Sequence, residues 1–355
     1  MKATPLSLSL TLALLASAPL HLKADDHGLR SRSYVLLDLS AALPAGFGSE
    51  VRSISETGFT AGNWLDPALT NSAGRWDRQG TLLDLGVSGV DSRAYATNNL
   101  GVTVGVSSVD AGSHAFLWIG TTATDLGTFG GSQSIALAIN NKGEVAGQAS
   151  EANDVSSTAY IWKRGSKRRL GMPAGFINSN AYGLNNEGEA CGTVFDEFGF
   201  TFRAVRWDKK GRATLIATLG GAGNEGLAIN DEGTVVGGSI DADGFYQPYI
   251  AKNNRAVALP TLGQGGAASA INNQGHVVGY VQDPDSGQSH AALWVKGQLI
   301  DLSTVPALQT AGLAAGSIAT GINNQGDICG VTYDSNISQN RAWVLKHSHG
   351  DEDND

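Results

Sequence analysis

Acidic residues recur at regular spacing along this chain. In proteins, calcium is bound by several oxygen ligands that lie close together in the sequence. Seven positions carry them: Asp66, Asp110, Glu151, Asp196, Asp241, Asp283 and Asp334. The stretches DADG (241–244) and DPDSG (283–287) are the richest in oxygen ligands. Alternatively, each acid caps its own loop by accepting hydrogen bonds from backbone amides. No single loop offers a full calcium ligand set, so capping is favoured and no metal or cofactor is predicted.

Basic residues concentrate in KRGSKRR (163–169), RWDKKGR (206–212) and KNNR (252–255). We call their cations the basic arc: Lys163, Arg164, Lys167, Arg168, Arg169, Arg206, Lys209, Lys210, Arg212, Lys252 and Arg255. One interpretation is docking on an anionic polymer, such as a cell-surface glycan or extracellular DNA. The alternative is solvated turns, partly neutralised by acids in neighbouring turns about 10 Å away, which is about one Debye length.

Nucleophilic or zinc-dependent catalysis has little support in the sequence. His114 and His290 recur at the start of a predicted strand, and neither stands beside a Cys or Ser in a nucleophile pattern. Cys191 and Cys329 occupy the same small apolar position of two repeats that are not neighbours. Since a disulfide needs α-carbons within about 7 Å, we predict two buried free thiols.

An eleven-residue motif positions all of these residues. AINNKGEVAGQ (138–148) returns in seven copies, at 53–63, 96–106, 138–148, 183–193, 228–238, 270–280 and 321–331. The copies are 42 to 51 residues apart. Self-similarity at this period indicates a repeat architecture.

Each repeat has the pattern of four β-strands. In residues 92–127 the segments SRAYATN, VTVGVSS, HAFLWIG and ATDLG are separated by turn residues such as NNLG. Four strands in about 43 residues is the size of a propeller blade. The last repeat lacks a fourth strand, whereas YVLLDLS (34–40) is a fourth strand with no blade before it. We therefore predict an all-β, seven-bladed β-propeller over 34–346, closed by the N-terminal strand completing the last blade.

The first strands should border a central channel, where propellers often bind ligands. One aligned position holds polar residues in four repeats: Glu50, Arg93, Asn180 and Glu225. We predict these as ligand-binding residues at the channel mouth. Two long loops, 39–49 and 303–317, flank the last blade and could form a lid.

The ends of the chain predict export. Residues 1–24 carry Lys2, an apolar run from Leu6 to Leu22 and Ala24, a signal-peptide pattern with cleavage before Asp25. Residues 25–33 form a polar lead, and 347–355 an acidic tail predicted to be disordered. The formal net charge of −9 disfavours nucleic acid as a general partner. No other apolar run is long enough for membrane insertion.

The blocks HAFLW (114–118), DLGTFGG (125–131) and AINNKGEVAG (138–147) resemble the HAF family of extracellular bacterial repeat proteins. The resemblance covers about 34–345, with departures at QPYIAK (247–252) and SETG (55–58). It implies export and a repeat fold. It implies no reaction, so no catalytic residue is carried over.

Two functional hypotheses remain open. The first is a secreted or periplasmic binding module without catalysis, which docks on an anionic polysaccharide or envelope component through the basic arc. The second is a polysaccharide lyase or hydrolase that acts at the channel mouth near Glu50, Arg93 and Glu225. The second requires two carboxylates, or a base beside a cation, within hydrogen-bond range.

Overall fold

The computed structural model describes residues 33–68, 70–86, 90–110, 112–152 and 154–348, and β-strands dominate these ranges. The predicted signal peptide and nearly all of the acidic tail lie outside the described residues, although the last strand continues to Ser348. None of the helices within these ranges is long and apolar enough to cross a membrane.

The strands follow the predicted order of four per repeat. The first strands are β2 (Gly48–Ile54), β6 (Ser92–Thr97), β10 (Gly130–Ile139), β14 (Asn178–Leu184), β18 (Gly220–Ile229), β22 (Gly266–Ile271) and β26 (Ser317–Ile322). The second strands are β3 (Thr60–Leu65), β7 (Thr103–Val109), β11 (Val145–Glu151), β15 (Ala190–Phe195), β19 (Val235–Asp241), β23 (Val277–Gln282) and β27 (Ile328–Asp334).

The third and fourth strands complete each unit. The third strands are β4 (Asn71–Trp76), β8 (Gly112–Ile119), β12 (Ser157–Lys163), β16 (Phe202–Trp207), β20 (Tyr246–Lys252), β24 (Ser289–Val295) and β28 (Gln339–Ser348). The fourth strands are β5 (Leu82–Asp84), β9 (Thr122–Asp125), β13 (Ser166–Arg169), β17 (Ala213–Leu215), β21 (Arg255–Ala258), β25 (Gln298–Asp301) and, for the last unit, β1 (Ser33–Asp38).

Small antiparallel sheets arranged as a propeller confirm the predicted fold class, but the predicted number of separate blades is wrong. Five sheets have four strands, whereas repeats two and three share one eight-stranded sheet. The junction is a parallel contact between β10 and β8 at Gln133 and Ser113. The sheets do not form a closed barrel of continuous strand pairing.

The N-terminal strand pairs with the last strand of the chain. The sheet order is β1-β28-β27-β26, as the offset between the two ends predicted. Arg341 on β28 forms an ion pair with Asp38 at the end of β1 and another with Asp334, at 3.3 Å. The edge of β28 is therefore covered by β1.

The turn between the first two strands has the same construction in repeats two to six. In repeat three the side chain of Asn140 accepts hydrogen bonds from the backbone N–H groups of Lys142 and Glu144, both at 3.0 Å. Gly143 has a φ of +72°, which residues with a side chain rarely adopt. The Asn-x-x-Gly pattern thus specifies the turn through local geometry.

A closed circuit of hydrogen bonds joins the seven turns. In each turn the second residue donates its backbone N–H to the side chain of the equivalent residue in the next turn, at 2.8 to 3.0 Å. The order is Glu56, Asn99, Asn141, Asn186, Asp231, Asn273, Asn324 and again Glu56. The first and last repeats are therefore in contact.

Neighbouring repeats are also joined through their third strands. An alanine N–H of one unit donates to a serine or asparagine side chain on the first strand of the next, as Ala159 does to Ser179 at 2.8 Å. Equivalent bonds are made by Ala73, Ala115, Ala204, Ala291 and Ala342. In repeat five the donor position is occupied by Pro248, which has no backbone N–H. The facing acceptor position in repeat six is Gly266, which has no side chain, so both partners of this hydrogen bond are absent.

The core lies between the sheets. Trp76, Trp118, Trp207, Trp294 and Trp343 are buried at the predicted third-strand position. Cys191 and Cys329 are buried free thiols, which confirms the prediction. Burial raises the pKa of both thiols, that of Cys329 to about 12.

The two long loops contain short helices: 3-10 helices Leu39–Ala42 and Leu302–Thr304 and the α-helix Pro306–Thr310. Asp38 and Asp301 cap the two 3-10 helices at 2.9 Å through the N–H groups of Ser40 and Ser303. Their apolar side chains Leu39, Leu302, Leu308 and Leu313 are buried. Both loops are thus anchored to the core, which argues against a lid.

Candidate functional site: the central channel

Each first strand contains a β-bulge at the same position. The strand pairing shifts register by one residue at Arg52, Tyr95, Leu137, Tyr182, Leu227, Ser269 and Thr320. A bulge leaves its extra residue out of the ladder and changes the direction of its side chain. These seven residues line one central cavity of about 270 Å³. We call them the bulge ring.

A glycine on the second strand accommodates each bulge. In repeat three, a β-carbon added to Gly147 would lie 1.9 Å from the carbonyl oxygen of Ile135, two residues before the bulge. The equivalent carbonyl approaches within 1.8 to 2.0 Å of such an atom in the other repeats except the last, where the distance is 2.5 Å. The second glycine of the motif is therefore a packing requirement, unlike the first, which meets a backbone requirement.

The bulge ring has one cation and two aromatic phenols. The Arg52 guanidinium lies 5.2 Å from the ring centre of Tyr95 and pairs with Glu50 at 2.8 Å. The hydroxyl of Tyr182 accepts a hydrogen bond from Asn180 at 2.8 Å, and burial raises the pKa of this phenol. The ring therefore combines aromatic faces with hydrogen-bonding groups.

The rest of the channel combines apolar and hydroxyl side chains. Leu137 and Leu227 complete the bulge ring together with Ser269 and Thr320, whose hydroxyl donates to the Val51 carbonyl at 2.9 Å. A second cavity of about 250 Å³ is also bordered by the ring. Its wall adds the following residues of each first strand, including Ile54, Ile139, Leu184, Ile229 and Ile322.

The predicted mouth residues precede the bulge ring by two positions and line neither cavity described above. Glu50 accepts hydrogen bonds from Arg52 and Asn340, both at 2.8 Å. Arg93 pairs with Asp91 at 3.5 Å. Glu225 accepts a hydrogen bond from Tyr246 at 2.7 Å. The side chains of Glu50, Arg93 and Glu225 thus bond to other residues of the protein. Asn180 likewise donates to the hydroxyl of Tyr182.

Sequence alignment selected the correct strand but not the cavity-lining position. The available signal was a variable residue between two small ones, as in VRS (51–53), AYA (94–96) and AYG (181–183). A period-two reading of the strand gives no reason to single out that position, because the bulge is a property of strand pairing.

Five of the eleven cations in the basic arc are paired with acids. The pairs are Lys163–Glu144 at 2.7 Å, Arg169–Glu151 at 2.7 Å, Arg206–Glu189 at 2.6 Å, Arg212–Asp208 at 2.6 Å and Lys252–Glu232 at 3.3 Å. Arg168 donates instead to the carbonyl of Lys210 at 2.8 Å. Within the described ranges no ion pair is recorded for Arg164, Lys209, Lys210 or Arg255, and all four are exposed.

Lys167 belongs to the basic arc, but its side chain packs against aromatic rings. Its Nζ lies 4.6 Å from the ring centre of Tyr160 and 5.3 Å from that of Phe129, and it donates to the carbonyl of Gly127 at 2.5 Å. Burial lowers the pKa of Lys167 to about 8, against the opposing effect of Asp125. This lysine therefore points into the junction of repeats two and three, away from any polymer on the face of the propeller.

The loop acids cap their own loops. Asp66 accepts the backbone N–H of Thr70 at 2.9 Å, and Asp241 those of Asp243 and Phe245 at 3.0 and 2.9 Å. Hydrogen bonds from the loop lower the pKa of Asp196, Asp241, Asp283 and Asp334. Glu151 differs, since Arg169 binds it. Across the described residues, no group of three or more His, Cys, Asp or Glu side chains is placed to hold a metal ion.

One histidine lies beside a serine and an aspartate. Asp301 and Ser303 both contact Nδ1 of His290, at 3.0 and 3.2 Å, and its Nε2 lies 3.9 Å from Asp283. A nucleophile triad needs the hydroxyl and the carboxylate on opposite ring nitrogens. This arrangement places both on one nitrogen, so it holds the ring in place and does not activate Ser303.

No protein-family model matches the chain, and no curated protein sequence is similar to it. Among solved structures, a puromycin hydrolase S511A mutant complexed with PGG matches with a TM-score of 0.57 and 14% identity, over 89% of this chain and 56% of that one. A puromycin-hydrolyzing peptidase from Mycobacterium tuberculosis matches with a TM-score of 0.50 and 11% identity, over 83% and 50%. TolB from Acinetobacter baumannii gives 0.47 and 13%, over 82% and 64%.

The chain spans between half and two thirds of the length of these structures. At such low identity the likeness concerns the fold alone. The neighbours with TM-scores of 0.57 and 0.50 are β-propeller proteins, in agreement with the sheets described above. The chain therefore has a β-propeller fold.

Proposed function

We propose that this protein is an exported binding module without catalysis, whose site is the bulge ring. The ligand we propose is a small hydroxylated molecule, such as the terminal sugar unit of a cell-envelope glycan. The observation that supports it is the convergence of seven side chains of five residue types on one cavity. Arg52, Tyr95 and Tyr182 are the residues we expect to contact the ligand.

Comparison of the repeats with one another supports this assignment. Positions that maintain the fold hold nearly the same residue type in each repeat, as the third-strand tryptophan does. The bulge ring instead holds Arg, Tyr, Leu, Tyr, Leu, Ser and Thr at one structural position. Packing does not require such variety, because the side chains face a cavity. Binding one asymmetric ligand does require it.

Size and chemistry favour a single sugar unit over a polymer threaded through the ring. Ligand pockets usually have volumes of about 300 to 1,000 Å³, and each channel cavity lies just below that range. Aromatic faces contact the apolar faces of a sugar ring, and the Arg52 guanidinium offers hydrogen-bond donors for hydroxyls. Arg52 would also accommodate one acidic substituent.

Export and membership in the HAF family belong to this proposal. The apolar run and Ala24 in residues 1–24 and the blocks HAFLW and DLGTFGG support them. The prediction of export can be checked by sequencing the N-terminus of the mature protein from fractionated cells. An N-terminus at Asp25 in the exported fraction is expected, and an uncleaved chain in the cytoplasm would contradict export.

The test of the binding site uses the full chain and a panel of neutral and acidic monosaccharides, measured by saturation-transfer NMR and calorimetry. Tyr95→Leu and Tyr182→Leu are suitable variants because Leu137 and Leu227 already occupy the same position in other repeats. Each is expected to weaken binding at least about fivefold, as loss of a contact residue does. Tyr333→Leu, at an exposed tyrosine outside the ring, is the control.

Binding that is unchanged in both ring variants, or no binding of any sugar, would refute the proposal. Accelerated cleavage of a glycan by the wild-type protein would instead favour the lyase or hydrolase alternative. Against that alternative, the Glu50 and Glu225 carboxylates are already hydrogen-bonded by side chains of the protein.

A second candidate is docking on an anionic polymer through part of the basic arc. The observation in its favour is that Arg164, Lys209, Lys210 and Arg255 are exposed cations. Lys209 and Lys210 also border a cleft of about 380 Å³ between the turns of repeats four and five. Glu187, Glu189, Asp231 and Glu232 border the same cleft, so its charge is mixed. Salt-sensitive binding to an acidic polysaccharide, lost in Lys209→Glu/Lys210→Glu, would establish this function, and equal binding by both proteins would exclude it.

A further inference from the structure

Exposed apolar side chains lie on the loops between the second and third strands of repeats four and five. Phe198, Phe200 and Phe245 are 72%, 85% and 61% exposed. Phe198 and Phe200 stack on each other with ring centres 6.3 Å apart. Ile177, whose N–H bonds to the carbonyl of Phe195 beside the same loop, is also exposed. We call Ile177, Phe198, Phe200 and Phe245 the apolar tips.

The loops do not need these side chains to fold. Asp196 caps the first loop through the N–H of Thr201 at 3.1 Å, and Asp241 caps the second through Asp243 and Phe245. Each loop is therefore fixed by its own backbone hydrogen bonds, with its phenylalanines outside the core. A cluster of exposed aromatic residues on ordered loops is typical of an interaction surface.

The charge around the apolar tips identifies the kind of partner. The loops DEFGFT (196–201) and DADGF (241–245) contain Asp196, Glu197, Asp241 and Asp243 and no lysine or arginine. Hydrogen bonds within the loops lower the pKa of Asp196 and Asp241, so both remain ionised in mild acid. Arg203, the nearest cation in sequence, is turned inward and donates to Ile216 and Asn224.

We propose that the apolar tips and their acids form a docking surface for a basic polypeptide segment that carries apolar side chains. Acids around the phenylalanines attract lysine and arginine of such a partner and repel an anionic lipid surface. Aromatic residues supply most of the binding energy at protein interfaces, and surrounding charges supply selectivity. The surface lies on the loops, apart from the bulge ring, so this inference does not depend on the proposed sugar site.

The test measures binding of a fluorescent peptide of repeated Lys-Leu-Gly units to the full chain by anisotropy. A Glu-Leu-Gly peptide and anionic lipid vesicles are the competing probes. Phe200→Ser/Phe245→Ser removes the apolar contacts, and Glu197→Lys/Asp243→Lys reverses charges that cap neither loop. Tyr333→Ser, at another exposed aromatic residue, is the matched control. Circular dichroism verifies that each variant is folded.

We expect the basic peptide to bind the wild-type protein and Tyr333→Ser equally, and at least about tenfold more weakly to each double variant. The Glu-Leu-Gly peptide should bind much more weakly. Failure of the basic peptide to bind, or equal binding to all four proteins, would overturn the proposal. Vesicle binding that depends on Phe200 and Phe245 would also overturn it, in favour of a membrane.

Discussion

The two glycines of each motif should differ sharply in their sensitivity to substitution. A β-carbon on Gly147 would lie 1.9 Å from the Ile135 carbonyl oxygen, whereas ordinary carbon–oxygen contacts are about 3.3 Å. The backbone must therefore move by more than about 1 Å. That carbonyl also accepts the hydroxyl of Tyr160 at 3.2 Å, and the bond would be strained by the same movement.

The expected magnitudes follow from these distances. Inserting one carbon into a packed site costs about 1–3 kcal/mol, and more where backbone blocks it, so we expect about 3 kcal/mol for Gly147→Ala. Gly143 has a positive φ but no atom within 4 Å of an added β-carbon. The left-handed conformation costs about 1–2 kcal/mol for alanine, and reduced freedom of the unfolded chain offsets about 0.4–1 kcal/mol. Gly143→Ala should therefore cost about 1 kcal/mol.

Urea and thermal unfolding of the full chain, followed by circular dichroism, measure both variants. An unfolding entropy of about 2.1 cal/mol/K per residue means that, in a chain of this length, about 3 kcal/mol lowers the unfolding temperature by roughly 4–5 °C and about 1 kcal/mol by roughly 1–2 °C. If Gly147→Ala is no more destabilising than Gly143→Ala, the close approach of the Ile135 carbonyl oxygen to Gly147 is not present in solution. The bulge ring would then lose its structural basis.

Three further predictions concern the rest of the molecule. Cys191 and Cys329 should resist a thiol reagent in the native protein and react in urea, because burial raises the pKa of both thiols; rapid native labelling would contradict their burial. Folding lowers the pKa of Lys167 from 10.5 to about 8, so between these pH values the unfolded chain binds more protons than the folded chain. The contribution of Lys167 to the free energy of unfolding should therefore rise with pH across that interval. The increase should be absent in Lys167→Met, as urea titrations on both sides of pH 8 would show. Deletion of Ser33–Asp38 should lower the unfolding temperature strongly, since it exposes the edge of β28 and removes the partner of Arg341, and a deletion protein that melts like the full chain would exclude the pairing.

The fold was largely readable from the sequence because it is encoded by local patterns. The Asn-x-x-Gly turn fixes the first hairpin through Asn140 and Gly143, and the offset between YVLLDLS and the last repeat specifies how the ends pair. The joined sheet of repeats two and three was not predictable. It depends on Ser113 and Gln133 meeting between units, and neither residue has a distinctive pattern in the sequence.

The candidate sites were less predictable because they depend on distances between strands. The basic arc and the acids of the neighbouring turns were expected about 10 Å apart, yet Lys163 reaches Glu144 at 2.7 Å and Arg206 reaches Glu189 at 2.6 Å. Lys163 faces Glu144 across two paired strands, because Trp162 pairs with Val145, whereas the expected separation of about 10 Å assumed an intervening strand. The cavity-lining residue lies two positions after the predicted one, because each first strand bulges there.

One atypical turn contributes to the contact between the first and last repeats. In the other turns of the circuit the side chain that accepts the hydrogen bond is an asparagine or aspartate, whereas in the first turn it is Glu56. Glu56 accepts hydrogen bonds from the backbone N–H and the side-chain amide of Asn324, at 2.9 and 2.8 Å. Between repeats four and five, Asp231 accepts hydrogen bonds from the same two groups of Asn186, at 2.8 and 3.1 Å. Asp231 is therefore a matched control.

Hydrogen bonds to a charged acceptor contribute about 1.5–3 kcal/mol each, and the cost of burying the carboxylate, which raises the pKa of Glu56, offsets part of this. We expect Glu56→Ala and Asp231→Ala each to lower the free energy of unfolding by about 2 kcal/mol in urea titrations. In an open chain of repeats the Glu56 bonds would be absent, and Glu56→Ala would be neutral while Asp231→Ala still destabilised the protein. That difference would show that the first and last repeats do not meet in solution.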